Sequence, residues 1–230
     1  MLDFYSGPPG IVNGPFTAAR VVFRQRSEMF LAGGKSIDGV ASRDAGNTPI
    51  TVLRPGLLMG KITATGLYAP SVIGVTTNAE AAGSTSIEAA AAVVTELIRR
   101  QGTTGTFKLT GPPAANGVVA TETVTYSAAS GTTITVTAIA NAYVAGSMIQ
   151  PTDGSETPRT FIPDWDGYGL KVVDGDGTSY ASIDFPKFPV AGIVYSAQLL
   201  PWPADTSLRA WIVARLNDAF GAQLVFDGYY

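Results

Sequence analysis

The chain has 230 residues, enough for one large domain or two small ones. Charged residues make up 14% and hydrophobic residues 46%, a balance that suits a β-rich chain burying surface against partners better than a freely soluble monomer. With no cysteine and no histidine it offers no disulfide, thiol nucleophile, imidazole base or ordinary zinc site, and a net charge of −3 argues against a nucleic-acid footprint.

The charge is uneven. Residues 1–61 hold seven Lys/Arg and four Asp/Glu, giving +3, and residues 62–230 hold eight and fourteen, giving −6. A basic first third fits an acidic facing surface. The start, MLDFYSGPPG, lacks the basic and apolar regions of a signal peptide. The longest uncharged run, Thr123–Thr152, is rich in Thr, Ser and Gly and is not expected to span a membrane.

Met1–Arg20 reads as an extended arm. Pro8, Pro9 and Pro15 break it, and its apolar residues are too few for a core and too many for a solvated tail. It is expected to order against a partner surface. Short strands are predicted at Val21–Phe23 and Glu28–Leu31, with a loop over Ala32–Pro49.

Thr48–Val75, TPITVLRPGLLMGKITATGLYAPSVIGV, reads as turn, strand, turn, strand: Arg54-Pro55-Gly56, an apolar run to Gly60-Lys61, then Ile62–Gly66 and an aromatic followed by Pro. Thr76–Ser84 is a small-residue linker. Thr85-Ser86-Ile87-Glu88 has the form of a capping box, with Thr85 as N-cap and Glu88 reaching back. A helix is predicted from there, with Ile87, Ala91, Val94, Leu97 and Ile98 on one face, Arg99 and Arg100 in the last turn, and Gly102 as the stop.

Strands follow at Thr106–Thr110, Thr121–Ala128 and Thr132–Ile139. The last two alternate, with Val124, Tyr126, Ile134 and Val136 on one face and threonines on the other, and Ser130-Gly131 lies in the turn between them. Further strands are predicted at Asp164–Val173, Tyr180–Phe185 and Ala191–Leu200. After Pro201-Trp202-Pro203, Asp205 caps a second helix with Leu208, Trp211, Ile212, Leu216 and Phe220 on one face; Gly221 ends it, and Ala222–Phe226 is a last strand.

The Thr48–Val75 pattern resembles the core of the lambda-type head decoration, or capsid cement, proteins of tailed phages. Gly192–Leu200, the second helix and Gln223–Phe226 look like the end of that family's fold, so the resemblance covers roughly residues 20–75 and 160–226. It implies a mainly β fold, α+β overall: a small β-barrel or β-tulip-like decoration domain with a C-terminal helix. On this reading residues 1–20 are an extended N-terminal arm, 21–75 plus 159–230 the decoration-like β domain, and 76–158 an inserted small α+β domain that the small family members lack. The resemblance further implies a virion protein on the outer surface of the capsid, made in the bacterial host cytoplasm. Its partners would be the major capsid protein and two further copies in a homotrimer, with no nucleic acid and no membrane. The arm is the expected capsid interface, with Phe4, Tyr5, Ile11, Val12, Phe16 and Arg20 as the candidate contacts. The insert would project outward as an ornament or adhesion module.

No catalytic, cofactor-binding or metal-ligating residue is expected. Gly34-Lys35-Ser36 looks like the end of a phosphate-binding loop, but the first glycine of that motif would fall at Met29. Asp174-Gly175-Asp176-Gly177 lacks the spacing of a calcium loop and reads as tight turns, with a weak structural cation the remaining option. Glycosidase chemistry would need a marked carboxylate pair among Asp164, Asp166, Asp174, Asp176 and Asp184, and none stands out; Trp165 and Trp202 read as packing residues. The alternative function is a tail, fibre or baseplate module recognising a carbohydrate or host surface through the Thr-rich sheet, with Tyr126 and Tyr143.

Overall fold

In the computed structural model the residues described are 29–31, 34–113, 119–163, 169–185, 188–221 and 223–227. The predicted arm, the strand at Val21–Phe23 and Trp165 lie outside them. Sixteen strands and two α-helices fall within them: β1 Met29–Phe30, β2 Lys35–Ile37, β3 Val52–Leu53, β4 Leu58–Lys61, β5 Tyr68–Pro70, β6 Gly74–Val75, β7 Ser86–Glu88, α1 Ala91–Gln101, β8 Gly105–Pro113, β9 Val119–Ser130, β10 Thr133–Val136, β11 Met148–Gln150, β12 Thr160–Phe161, β13 Leu170–Lys171, β14 Ile183–Phe185, β15 Pro189–Tyr195, α2 Thr206–Asp218 and β16 Gln223–Asp227. The described residues are mainly β, 16% of them helical, with two sheets that curl as half-barrels.

The largest sheet has the order β6-β11-β8-β9-β10-β7. Its longest ladder pairs β8 with β9, and the predicted hairpin β9–β10 closes on the two-residue loop Gly131-Thr132, with Ser130 opposite Thr133. Gly131 has φ +59°, the left-handed conformation that such a tight reversal asks for. Val124, Tyr126, Ile134 and Val136 point inward, and Thr121, Thr123, Thr125, Thr135 and Thr137 are exposed, as the alternation predicts. Helix α1 packs Val93, Val94 and Leu97 against Phe107, Leu109 and Ile149 on the inward face.

The capping box does not form. Ser86–Glu88 is strand β7, paired with β10 with Ile87 opposite Ile134, and Glu88 accepts a hydrogen bond from Thr133 Oγ1 at 2.7 Å. Burying Ile87 in this ladder outweighs the local helix signal, and α1 starts five residues after Ser86 with Ala90 at its N-cap and no side-chain cap. The far end matches the pattern: Arg99 and Arg100 sit in the last turn, and Gly102, φ +96°, ends the helix. The predicted loop over Ala32–Pro49 contains β2, whose Ile37 is fully buried.

The motif Arg54–Pro70 folds in its expected order: a turn at Pro55-Gly56, strand β4, a turn through Thr63–Thr65, and strand β5. These strands sit within a second sheet, β12-β4-β5-β2-β14. Gly56 and Gly66 take positive φ, and a Cβ on Gly60 would collide with the Ser155 carbonyl. The third sheet, β1-β15-β16, joins β15 to β16 in parallel through α2, and a two-stranded pair β3–β13 completes the set. Only Leu170–Lys171 of the predicted strand Asp164–Val173 is strand, its first five residues lying outside those described.

Asp205 caps α2, its Oδ1 accepting from the Leu208 amide at 2.9 Å. Leu208, Ile212 and Leu216 are buried between β15–β16 (Val194, Leu224, Phe226) and Val72, Met148 and Leu58, so α2 is held on two sides. Phe220 does not share that face: α2 ends at Asp218, and Phe220 takes φ +60° in the following turn, its ring centroid 6.4 Å from that of Tyr68. Asp205→Ala should cost about 1 kcal/mol by urea denaturation, and Gly60→Ala about 2 kcal/mol or more because backbone must move.

Candidate functional site

Phe4, Tyr5, Ile11, Val12, Phe16 and Arg20 lie outside the described residues. Within them, the polar groups gather where residues of the largest sheet and α1 meet the rest of the chain. The Arg100 side chain is 3% exposed and pairs with Asp153 Oδ2 through Nη2 at 3.0 Å and Nε at 3.2 Å. Its Nη1 donates to the Pro70 carbonyl at 2.6 Å and its Nη2 to Ser155 Oγ at 2.6 Å. One guanidinium thereby ties α1 to β5 and to the loop after β11. Burial pulls the Arg100 pKa below its ordinary value and Asp153 opposes that shift; an arginine stays charged regardless. Burial would raise the Asp153 carboxyl, but the Arg100 charge and the hydrogen bonds from Ser155 outweigh it and hold the group below the usual carboxylate value.

A second arginine works beside it. Arg99 forms a bidentate pair with the buried Glu96, both contacts at 2.6 Å, and donates to the Val40 and Ala41 carbonyls at 2.8 and 3.0 Å. Arg43, on that loop, donates to Gly39 O, Ser42 O and Ser179 Oγ. Its pKa is lowered by burial and by the nearby Arg99 charge, with Glu96 opposing. Sequence pattern assigns Arg99 and Arg100 only a helix-dipole role. Glu96 is within i,i+3 reach of Arg99, but the other partners of the two arginines lie 30 to 59 residues away in sequence, where no spacing rule reaches.

A cleft of about 190 Å³ opens where the largest sheet and α1 meet the loops before β4 and after β15. Its apolar floor includes Leu57, Val72, Val75, Val93 and Leu200, and Arg54 and Asp44 stand at its rim. These two form a bidentate pair at 2.6 and 2.8 Å, and Asp44 also accepts from the Gly46 amide at 3.1 Å. The charges at the rim are thus already matched to one another.

Asp174 Oδ1 accepts from the amides of Asp176 and Thr178, both at 2.9 Å, a tight turn as expected. No group of three acidic residues with metal-binding geometry occurs among the described residues. Tyr126 and Tyr143 are 1% and 2% exposed, so neither ring can stack on a sugar, and the expected use of these two residues is corrected. Tyr126 donates instead to the Gly102 carbonyl at 2.7 Å, fastening β9 to the end of α1. Trp202 is partly buried, with the Arg209 guanidinium 5.6 Å from its ring centroid. No described helix is long and apolar enough to cross a membrane.

The outer face of the sheet β1-β15-β16 differs in character. Val194, Leu224 and Phe226 turn toward α2, which leaves Ile193 beside Val225 and Tyr195 beside Asp227 on the other side. Val225 is 61% exposed and Tyr195 36%. Comparison with protein-family models, with characterised proteins and with solved structures found no match.

Replacing Arg100 by Met leaves Asp153 without its counter-charge and should cost about 3 kcal/mol in urea unfolding at neutral pH. The Asp153 pKa is lower folded than unfolded. Its contribution is therefore complete above the unfolded value, about 4, and fades as pH falls through the folded one. Asp153→Asn should lower the urea midpoint at neutral pH, and its deficit against the native chain should shrink in acid. An equal deficit at both pH values would contradict the pairing.

Proposed function

We propose that the chain is a structural virion protein of a tailed phage, a capsid cement of the lambda-type decoration class with an inserted domain. It binds the outside of the mature head and stabilises the major capsid protein lattice. The observation that carries this reading is the Thr48–Val75 motif and its place in the fold. Three of its four glycines fall at two positive-φ positions and at one close backbone approach, so the pattern that resembles the family also suits the turns and packing of the β4–β5 strand pair. The β-rich, barrel-like architecture supports it as well.

The mechanism is additive burial. Each copy, as part of a homotrimer, adds contacts that only the expanded lattice offers, so binding shifts the equilibrium toward that lattice. The arm, Met1–Arg20, supplies Phe4, Tyr5, Ile11, Val12 and Phe16 as apolar anchors. Arg20 and the basic bias of residues 1–61 orient docking on an acidic shell. No catalysis, cofactor, nucleic acid or membrane enters this function. The carbohydrate-binding alternative loses its two aromatic residues to the core.

Co-sedimentation with heads stripped of accessory proteins tests the proposal. Saturable binding to expanded heads, but not to procapsids, is the expected result, and removal of residues 1–20 should abolish it. Equal binding by the truncated chain would remove the arm from the mechanism, and no binding by the full chain would remove the shell.

A further inference from the structure

The row Ile193, Val225 and Tyr195, with Ile193 half-buried and the other two exposed, lies on a sheet whose opposite face packs on α2. The sheet has two edges. Asn217 closes much of the β16 edge: its Oδ1 accepts from the Leu224 amide at 3.1 Å and its Nδ2 donates to the Leu224 carbonyl at 3.4 Å. A side chain so placed obstructs an added strand, so the surface on offer is the face. The other edge is β1, which begins at Met29, opposite Ala191 on β15. Twenty-eight residues of chain precede it.

We propose that Val21-Val22-Phe23 of the same chain packs on this outer face, over Val225 and Tyr195. Three arguments converge. The segment joins the fold in the very sheet whose face is bare. From Phe23 to Met29 is six residues, a reach of up to about 20 Å when extended, against about 10 Å from β1 across to β16. The segment is an uninterrupted apolar triplet, followed by the polar run Arg24-Gln25-Arg26-Ser27-Glu28, which suits a solvated crossing. Packing there removes apolar surface on both partners from water at small loop-closure cost. It also fixes the place from which Met1–Arg20 departs, at the outer face of this sheet. The inference does not depend on shell binding.

The chain has no cysteine, so pairs of introduced thiols report without background. Val21→Cys, Val22→Cys and Phe23→Cys would each be combined with Val225→Cys in the full chain and treated at high dilution with a short bismaleimide. The same three would be combined with Val144→Cys, at a valine 48% exposed elsewhere on the surface. Internal crosslinking of at least one Val225 pair, with the Val144 pairs unlinked, is the expected result, read as intramolecular crosslinks by peptide mass spectrometry. Linkage between chains would give the face to a second copy and overturn the proposal. Absence of linkage in all three Val225 pairs, or equal linkage to Val144, would overturn it too.

Discussion

The Arg100 guanidinium is the contact on which the arrangement of the described residues turns. It sits at the end of α1, and α1 belongs to the core of the largest sheet. Its partners are the Pro70 carbonyl on β5 and the Asp153 and Ser155 side chains in the loop after β11. β5 belongs to the second sheet, so one side chain spans two sheets and the segment that links them. A charge so deeply buried is tolerated only when it is paired and bonded. The geometry around Arg100 is therefore narrowly defined, and the α1 end cannot drift without stranding it.

Around that contact the interior divides into three apolar clusters with different owners. One lies under the largest sheet and α1, and another under the sheet containing the β4–β5 motif. The remaining cluster is shared: Met148 of β11 and Val72 pack with α2 and with β15–β16. Helix α2 thus fills the space between two sheets, which explains why Leu208, Ile212 and Leu216 are all buried. Arg99 and Arg43 add a polar seam beside Arg100, anchored on backbone carbonyls. Such bonds fix a loop in place, and the buried Glu96 carboxylate holds the Arg99 guanidinium that makes them.

For function, the molecule divides into an interior with ordinary packing and a few exposed features. Of the buried ionic pairs, Arg100–Asp153 joins α1 to the loop after β11, while Arg99–Glu96 lies within α1. The apolar face of β15–β16 has no such joining role within the described residues. An arm that leaves the fold at the same sheet relates that face to the proposed shell contact. The low charge content fits a protein whose remaining apolar surface is meant to be covered.

Elements whose signals are local and regular follow from neighbouring residues alone. The β9–β10 alternation, the Gly102 stop, the Asp205 cap and the turn–strand order of Arg54–Pro70 are properties of a few adjacent residues, and the fold keeps them. Tertiary structure decided the rest. Ser86–Glu88 carries a capping-box pattern and becomes a strand, because burying Ile87 opposite Ile134 outweighs a cap bond. Ile37 joins a sheet from a stretch too short to show periodicity. Tyr126 sits on the buried face that the alternation marks, whereas the burial of Tyr143 depends on what covers it, which no local pattern marks. The roles of Arg54 and Arg100, and the bonds of Arg99 to Val40 and Ala41, come from partners beyond the reach of any helix or strand periodicity. Chain folding brings those charges together, and the cost of leaving any of them unpaired holds them there.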